Sequence, residues 1–94
     1  MKPRHTKIVE EITTEHGVLI REDYRNHPDS ESNLYLATPA GEVVWIAERR
    51  LQNDFYANPV KLVAADRVQC FTSRGVECEI SLQNGKLLSA ELVR

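Results

Sequence analysis

Residues 33 to 47, with the sequence NLYLATPAGEVVWIA, decide the fold class. Two runs typical of β-strands, 33 to 38 and 42 to 47, flank the tripeptide Pro39-Ala40-Gly41. Proline presets the backbone angle that begins a type I turn, and glycine accepts the left-handed conformation that closes a three-residue loop. The stretch therefore predicts an antiparallel β-hairpin.

The loop length also predicts the register of this hairpin, because a slip of one residue moves every side chain to the opposite face. Both faces of the hairpin are then apolar, which places it in the middle of a domain or against a partner. The predicted pairs are Leu36 with Val44, Leu34 with Ile46, Ala37 with Val43, and Tyr35 with Trp45.

Two further hairpins are predicted around the tripeptides that end in Gly75 and Gly85. In each, a three-residue loop aligns apolar side chains on one face, whereas a two-residue loop sets them against polar ones. The dipeptide Asn84-Gly85 alone favours the shorter loop, but the side-chain pattern favours the longer one. The predicted pairs are Val68 with Ile80, Cys70 with Cys78 and Thr72 with Val76, followed by Ile80 with Leu88, Cys78 with Ala90 and Val76 with Leu92.

The chain also contains an approximate internal repeat, since Gly41 and Gly85 lie 44 residues apart and the apolar positions around them match. A period of about 40 to 45 residues is typical of four-stranded propeller blades. We therefore expect an all-β domain, residues 1 to 94, made of two consecutive antiparallel meanders that pack as a sandwich or an open barrel. The first unit, 8 to 48, has strands at 8 to 14, 18 to 25, 33 to 38 and 42 to 48, and the second, 60 to 93, has strands at 60 to 65, 67 to 73, 76 to 82 and 86 to 93.

The hairpin from Asn33 to Trp45 resembles the blades of quinoprotein-type, PQQ-like propellers, in which a strand, a glycine turn and a strand ending in Trp recur. The resemblance covers about 15 residues and implies a blade-like shape. The second unit departs from it, with Glu79 and Ser89 where the first has Tyr35 and Trp45. Because two units cannot close a propeller ring, the resemblance implies no cofactor site.

Residues 6 to 16 allow two structures. Ile8, Val9 and Ile12 fit one face of a helix, with Thr6 as N-cap and Gly17 just past its end. The β-branched run favours a strand slightly. The strand would pair Ile12 with Ile20 and Ile8 with Tyr24.

The composition, 41% hydrophobic and 28% charged, is ordinary for one globular domain. A net charge of -2 and a pI near 5.9 provide no basic surface for phosphates, so nucleic acid is not an expected partner. No apolar run has the length of a secretory signal or a membrane span. We therefore expect a cytoplasmic protein without membrane contact.

No motif for catalysis or for cofactor or metal binding is evident. Each of the four glycines fits a turn, which leaves none for a phosphate-binding loop. His5, His16 and His27 lack the spacing of metal ligands. Cys70 and Cys78 could form a disulfide, although buried thiols explain their apolar positions as well.

Four residues form the candidate partner patch. Arg49, Arg50, Phe55 and Tyr56 lie in or beside a polar linker and are of types enriched at binding hot spots. Together with the apolar hairpin they predict a non-enzymatic interaction module, which forms a homodimer or binds another protein.

Two other functions remain open. A small-ligand-binding protein or enzyme would have a pocket between its sheets, with Tyr35 and Trp45 acting beside Glu79 or Arg49 rather than as core aromatics. An immunity or antitoxin-like protein would use the acidic stretch 8 to 31, which has seven acids against two arginines, to bind a basic partner.

Overall fold

The computed structural model describes residues 1–92, which contain eight strands and no helix. Each half of the chain forms a four-stranded antiparallel meander in sequence order, here called sheet 1 (β1 to β4) and sheet 2 (β5 to β8). The all-β prediction is confirmed, and residue 93, the predicted end of the last strand, lies outside the described residues. The strands are β1 Ile8–Thr14, β2 Gly17–Glu22, β3 Leu34–Ala37, β4 Val43–Ile46, β5 Lys61–Ala64, β6 Arg67–Phe71, β7 Val76–Ser81 and β8 Leu87–Leu92.

The two sheets pack face to face as a sandwich that, within residues 1–92, is not closed into a barrel. The Trp45 indole reaches between the sheets and donates from Nε1 to the carbonyl of Leu82 at 2.9 Å. One apolar core joins both sheets and the linker: Leu19, Leu34, Leu36, Trp45 and Ala47 from the first half, Tyr56 and Val60 from the linker, and Val68, Cys70, Val76, Cys78, Ile80 and Leu82 from the second half.

The segment that allowed two structures is a strand, so the helical alternative for residues 6 to 16 is wrong. Burial along β1 alternates with a period of two, as in a strand with one covered face. The predicted register is off by one residue at Ile12, which lies opposite Leu19 rather than Ile20, and by two at Ile8, which lies opposite Glu22 rather than Tyr24. The cause is Gly17, which pairs with Thr14 inside the ladder and leaves a two-residue turn.

In the β3–β4 hairpin, the predicted pair of Ala37 with Val43 is confirmed, whereas the other pairs are wrong. A β-bulge inserts Val44 as an extra residue, so Leu36 lies opposite Trp45. The bulge turns Trp45 toward the other sheet, where burial and a hydrogen bond stabilise the indole. Tyr35 lies opposite Ile46 instead.

Sheet 2 follows its predicted register closely. All pairs predicted between β6 and β7 are present, including Cys70 with Cys78. Between β7 and β8, two of the three predicted pairs are confirmed, but Ile80 lies opposite Leu87. Leu88 is the extra residue of a bulge there, so its predicted pairing with Ile80 is wrong.

Among residues 1–92, the four edge strands share one structural feature, a β-bulge. Each has a single bulge at which one apolar residue has no opposite partner, and that residue is 42 to 52% exposed. Bulges limit the addition of foreign strands because they disturb the ladder. The four extra residues are Val9 in β1, Val44 in β4, Val63 in β5 and Leu88 in β8.

Candidate functional site: a buried carboxylate cluster and open sheet edges

The predicted partner patch is divided by the fold. Phe55 is 8% and Tyr56 1% exposed, so the surface position predicted for these two aromatic residues is wrong. Arg49 lies over the Phe55 ring, 5.6 Å from its centroid, and donates to the carbonyl of Asp29 at 2.9 Å. Arg50 instead lies 4.0 Å from Asp54. The four side chains therefore do not form one exposed surface.

Hydrogen bonds with Asn33 hold the linker in the interior of the protein. Its buried amide donates to the carbonyls of Glu22 at 2.7 Å and Tyr56 at 2.8 Å, and it accepts from the Tyr56 N–H at 2.9 Å. The Tyr56 hydroxyl donates to the carbonyl of Glu48 at 2.6 Å. Truncation of Tyr56 would therefore remove core packing and a buried hydrogen bond rather than a surface contact.

Tyr35 and Trp45 lie on opposite faces of sheet 1. Trp45 belongs to the core between the sheets, whereas Tyr35 packs with Ile20 and Ala37 on the outer face. The core interpretation of both aromatics agrees with their burial, and they do not line a common pocket between the sheets. Glu79, proposed for the same pocket, instead forms an ion pair with Arg67 at 3.0 Å.

Sequence reasoning missed a polar cluster on the outer face of sheet 1, centred on Glu22. This carboxylate is completely buried and accepts the Tyr35 hydroxyl at 2.6 Å. It also accepts three consecutive backbone N–H groups, those of Arg4 at 2.6 Å, His5 at 3.1 Å and Thr6 at 3.0 Å. Glu22 thus ties the N-terminal segment across sheet 1.

Electrostatics support the charged form of Glu22. Burial by itself would raise the pKa of this carboxyl, but the hydrogen bonds from Tyr35 and the backbone N–H groups outweigh it and lower the pKa below the usual range. The pKa of Tyr35 is raised by burial and by its bond to the Glu22 anion. Tyr35 therefore remains a donor and Glu22 an acceptor at neutral pH.

Two histidines complete the cluster. His27 Nδ1 lies 3.1 Å from the carbonyl of Pro28, and its Nε2, which has no hydrogen-bond partner among residues 1–92, lies 3.7 Å from Glu22 Oε1. The His27 ring stacks edge-on against His5, whose Nε2 lies 3.1 Å from Glu31. Within the described chain, these groups do not form a set of three ligands suited to a metal ion.

The cluster covers apolar side chains on the outer face of sheet 1. The Arg4 guanidinium lies 5.8 Å from the centre of the Tyr35 ring and forms an ion pair with Glu31 at 2.7 Å. One signal in the sequence points to this role, since Glu22 continues the apolar run of residues 18 to 20 on the side occupied by Ile20.

The cysteines lie opposite each other as unpaired, buried thiols. Cys70 donates from Sγ to the carbonyl of Asn58 at 3.0 Å, and burial raises the pKa of its thiol to about 12. Burial raises the pKa of Cys78 as well. Because the thiolate is the reactive form, neither side chain is suited to be a nucleophile at neutral pH.

The remaining apolar surface lies on the sheet edges. Of the eleven large hydrophobic side chains exposed among residues 1–92, eight belong to the edge strands β1, β4, β5 and β8. Apolar side chains on the central strands are less exposed, because each of these strands has a paired strand on both of its edges. The eight are Val9, Val43, Val44, Ile46, Leu62, Val63, Leu88 and Leu92.

The surface formed by residues 1–92 also contains grooves. One, of about 580 Å³, lies over β1 and β2 beside the β3–β4 turn and is lined by Lys2, Glu11, Thr13 and Val18 among others. Another, of about 290 Å³, is lined by Arg50, Val76, Ala90 and Leu92. No helix in the described part of the chain is long and apolar enough to cross a membrane.

Comparisons with known proteins add no assignment. No family model, no curated protein and no solved structure matched the chain. The resemblance of the first hairpin to quinoprotein-type blades consequently stays a prediction.

Proposed function

We propose that this protein is a non-enzymatic interaction module that self-associates through the edges of its sheets. The observation that carries the proposal is the position of the exposed apolar side chains, most of which lie on edge strands. An edge strand presents unpaired N–H and C=O groups, and apolar side chains beside them make it a template for another strand.

Charge protects these edges unevenly, since β1 contains Glu10 and Glu11, whereas β5 and β8 each have one charged residue. Soluble β-proteins commonly place lysine or other charged side chains on edge strands. Here the bulged residue of each edge strand is valine or leucine, and β4 contains no charged residue at all. The bulges restrict pairing to short segments, which favours reversible association over aggregation.

The test is the molar mass in solution, measured by light scattering after size exclusion over a range of concentrations and at two salt concentrations. We expect the mass to rise from one chain toward two with concentration. Because apolar contacts and backbone hydrogen bonds depend weakly on salt, the equilibrium should shift little between the two. A mass of one chain throughout would contradict the proposal.

A reducing compartment such as the cytoplasm fits this proposal. Cys70 and Cys78 are directly opposed, yet both are free thiols. Two cysteines are also too few to cross-link a small secreted fold, which is consistent with a reducing compartment.

Small-ligand binding is a second candidate, favoured by the groove of about 580 Å³. Its lining combines Lys2 and Glu11 with Thr13 and Val18, so a small zwitterionic molecule with an apolar part suits it best. A thermal-shift screen with free amino acids tests this candidate, since a ligand at a hundredfold excess over its dissociation constant adds about 2.7 kcal/mol of stability. An unchanged melting temperature with every amino acid would weigh against it.

A further inference from the structure

The open edge of β8 has a hydrogen-bonding pattern that a second copy of the chain can satisfy. The Thr72 N–H donates to the carbonyl of Val76 at 2.9 Å, so the Val76 backbone points toward β6 and away from β8. Val76 lies opposite Leu92, and Cys78 lies opposite Ala90. Because bonded and non-bonded pairs alternate in an antiparallel ladder, the N–H and C=O groups of Ala90 and Leu92 point to the open edge.

We propose that two copies join by antiparallel pairing of their β8 strands about a two-fold axis at Ala90; this inference rests on the self-association proposed above. In this register Ala90 bonds to its own counterpart, and Leu88 of one copy lies opposite Leu92 of the other. These leucines are 52% and 65% exposed, and the bulge leaves Leu88 without an opposite residue in β7. An interface with two-fold symmetry must match itself in this way.

Charge is compatible with the same register. Glu91 is the one charged side chain within β8, and the two-fold axis places it opposite Ser89 of the second copy rather than opposite another glutamate. Like charges directly opposite each other destabilise a strand pair, so this arrangement avoids that cost.

The other edges are less suited to the same pairing. Strand β1 contains Glu10 and Glu11, and β5 begins with Lys61 and has four residues with a bulge among them. Strand β4 is equally short, and just past its end the Glu48 N–H donates to the Gly85 carbonyl at 2.8 Å. Strand β8 also has a bulge and one charged residue, but it has six residues, of which 89 to 92 pair regularly with β7.

A small groove lies beside this edge. The groove of about 290 Å³ is lined by Val76, Ala90 and Leu92, with Arg50 at its side. Stable interfaces bury about 1,600 Å² in total, and pairing one strand of six residues buries less. We therefore expect a reversible dimer with a dissociation constant of about 10 μM or weaker.

A charge-pair experiment tests the register. The variants Leu88→Lys and Leu92→Glu should each weaken the homodimer at least tenfold, because each places two ionised side chains in an apolar contact. An equimolar mixture should form a heterodimer within about threefold of the wild-type affinity, since one lysine then faces one glutamate and one leucine pair remains. Analytical ultracentrifugation of each variant and of the mixture measures these equilibria.

A proline pair tests the hydrogen bonds. Ala90→Pro removes an N–H that faces the open edge, so it should abolish dimerisation while the thermal transition of the fold is retained. Ser89→Pro is the matched control, because its N–H faces β7 and its loss should lower the melting temperature. Circular dichroism melts separate the two effects.

The outcomes distinguish the two proposals. Wild-type dimers that persist unchanged in Ala90→Pro and in both leucine variants would overturn the β8 pairing and leave self-association through another edge. A dimer lost in the variants but not recovered in the mixture would overturn the two-fold register. A wild-type protein that is monomeric at every concentration would overturn both proposals.

Discussion

Sheet 1 and sheet 2 have the same topology and differ in their outer faces. Sheet 1 is apolar on both sides, and its outer face is covered by the N-terminal segment bound to Glu22. Sheet 2 is apolar only toward the core, while its outer face has pairs such as Arg67 with Glu79. A sheet with two apolar faces therefore needs an added covering segment, whereas a sheet with a single apolar face does not.

The largest effect is expected where that covering is attached. Glu22→Gln places an amide group against backbone N–H donors, so we expect the free energy of unfolding to fall by about 2 to 4 kcal/mol. Glu79→Gln on the outer face of sheet 2 is the control and should cost under about 1 kcal/mol, since it removes an exposed ion pair. Urea denaturation measures both, and equal losses would contradict the difference between the sheets.

The two equivalent turns provide a second comparison. Gly85 and Gly41 both have positive φ, of 75° and 94°. A Cβ on Gly85 would lie 2.5 Å from the Trp45 ring, whereas one on Gly41 would meet nothing within 4 Å. We expect Gly41→Ala to cost about 1 kcal/mol from backbone strain and Gly85→Ala about 2 to 3 kcal/mol, because the indole must also shift. Thermal melts compare the two variants, and a smaller loss for Gly85→Ala would show that Trp45 is loosely packed.

Acid should lower the free energy of unfolding mainly through carboxylates on the outer face of sheet 1. The pKa of Glu22 is lowered through its hydrogen bonds despite burial, and that of Glu31 is lowered chiefly by Arg4. A lowered pKa in the folded state stabilises the fold above the unfolded value of 4.5, and this contribution is lost as the pH falls through the folded value. The free energy of unfolding, measured between pH 7 and 3, should therefore fall below about pH 4.5, because both carboxylates bind a proton more readily in the unfolded chain. Glu22→Gln should flatten the curve, and an unchanged slope would assign the acid sensitivity elsewhere.

The smallest effect concerns the thiols of sheet 2. Burial raises the pKa of both cysteines, so neither should react appreciably with a thiol reagent at pH 8 in the folded protein. Both should react at once in denaturant. Fast reaction of the native protein with the reagent would show that β6 and β7, the two strands that contain the cysteines, separate readily.

The success of sequence reasoning also differs between the sheets. In sheet 2, alternating side chains predicted the β6–β7 register correctly, because only one face is apolar and a slip would bury charge. In sheet 1, both faces are apolar, so alternation could not choose between registers. Both hairpin registers of sheet 1 were predicted wrongly, by one residue over most of their length.

The candidate site, too, could be predicted from the sequence only in part. The edge strands could be anticipated, since a meander leaves its first and last strands unpaired. The burial of Tyr56 could not, because it depends on hydrogen bonds to Asn33, 23 residues away in the chain, and that of Phe55 could not, because its ring packs against Arg49 and His27. The Glu22 cluster could be anticipated only in part, because Glu22 continues an apolar run but its backbone donors come from a terminal segment without a local pattern.

The all-β class, the two meanders and the glycine turns follow from the amino-acid sequence alone, because they depend on local backbone preference and on alternation over a few residues. Tertiary structure decided where the bulges fall, which of two neighbouring apolar residues is buried, and which segment covers sheet 1. Val43 and Val44 are chemically identical, yet Val44 is the extra residue, and in this register Trp45 packs against Gly85. Such choices depend on packing between distant segments, which a local pattern does not contain.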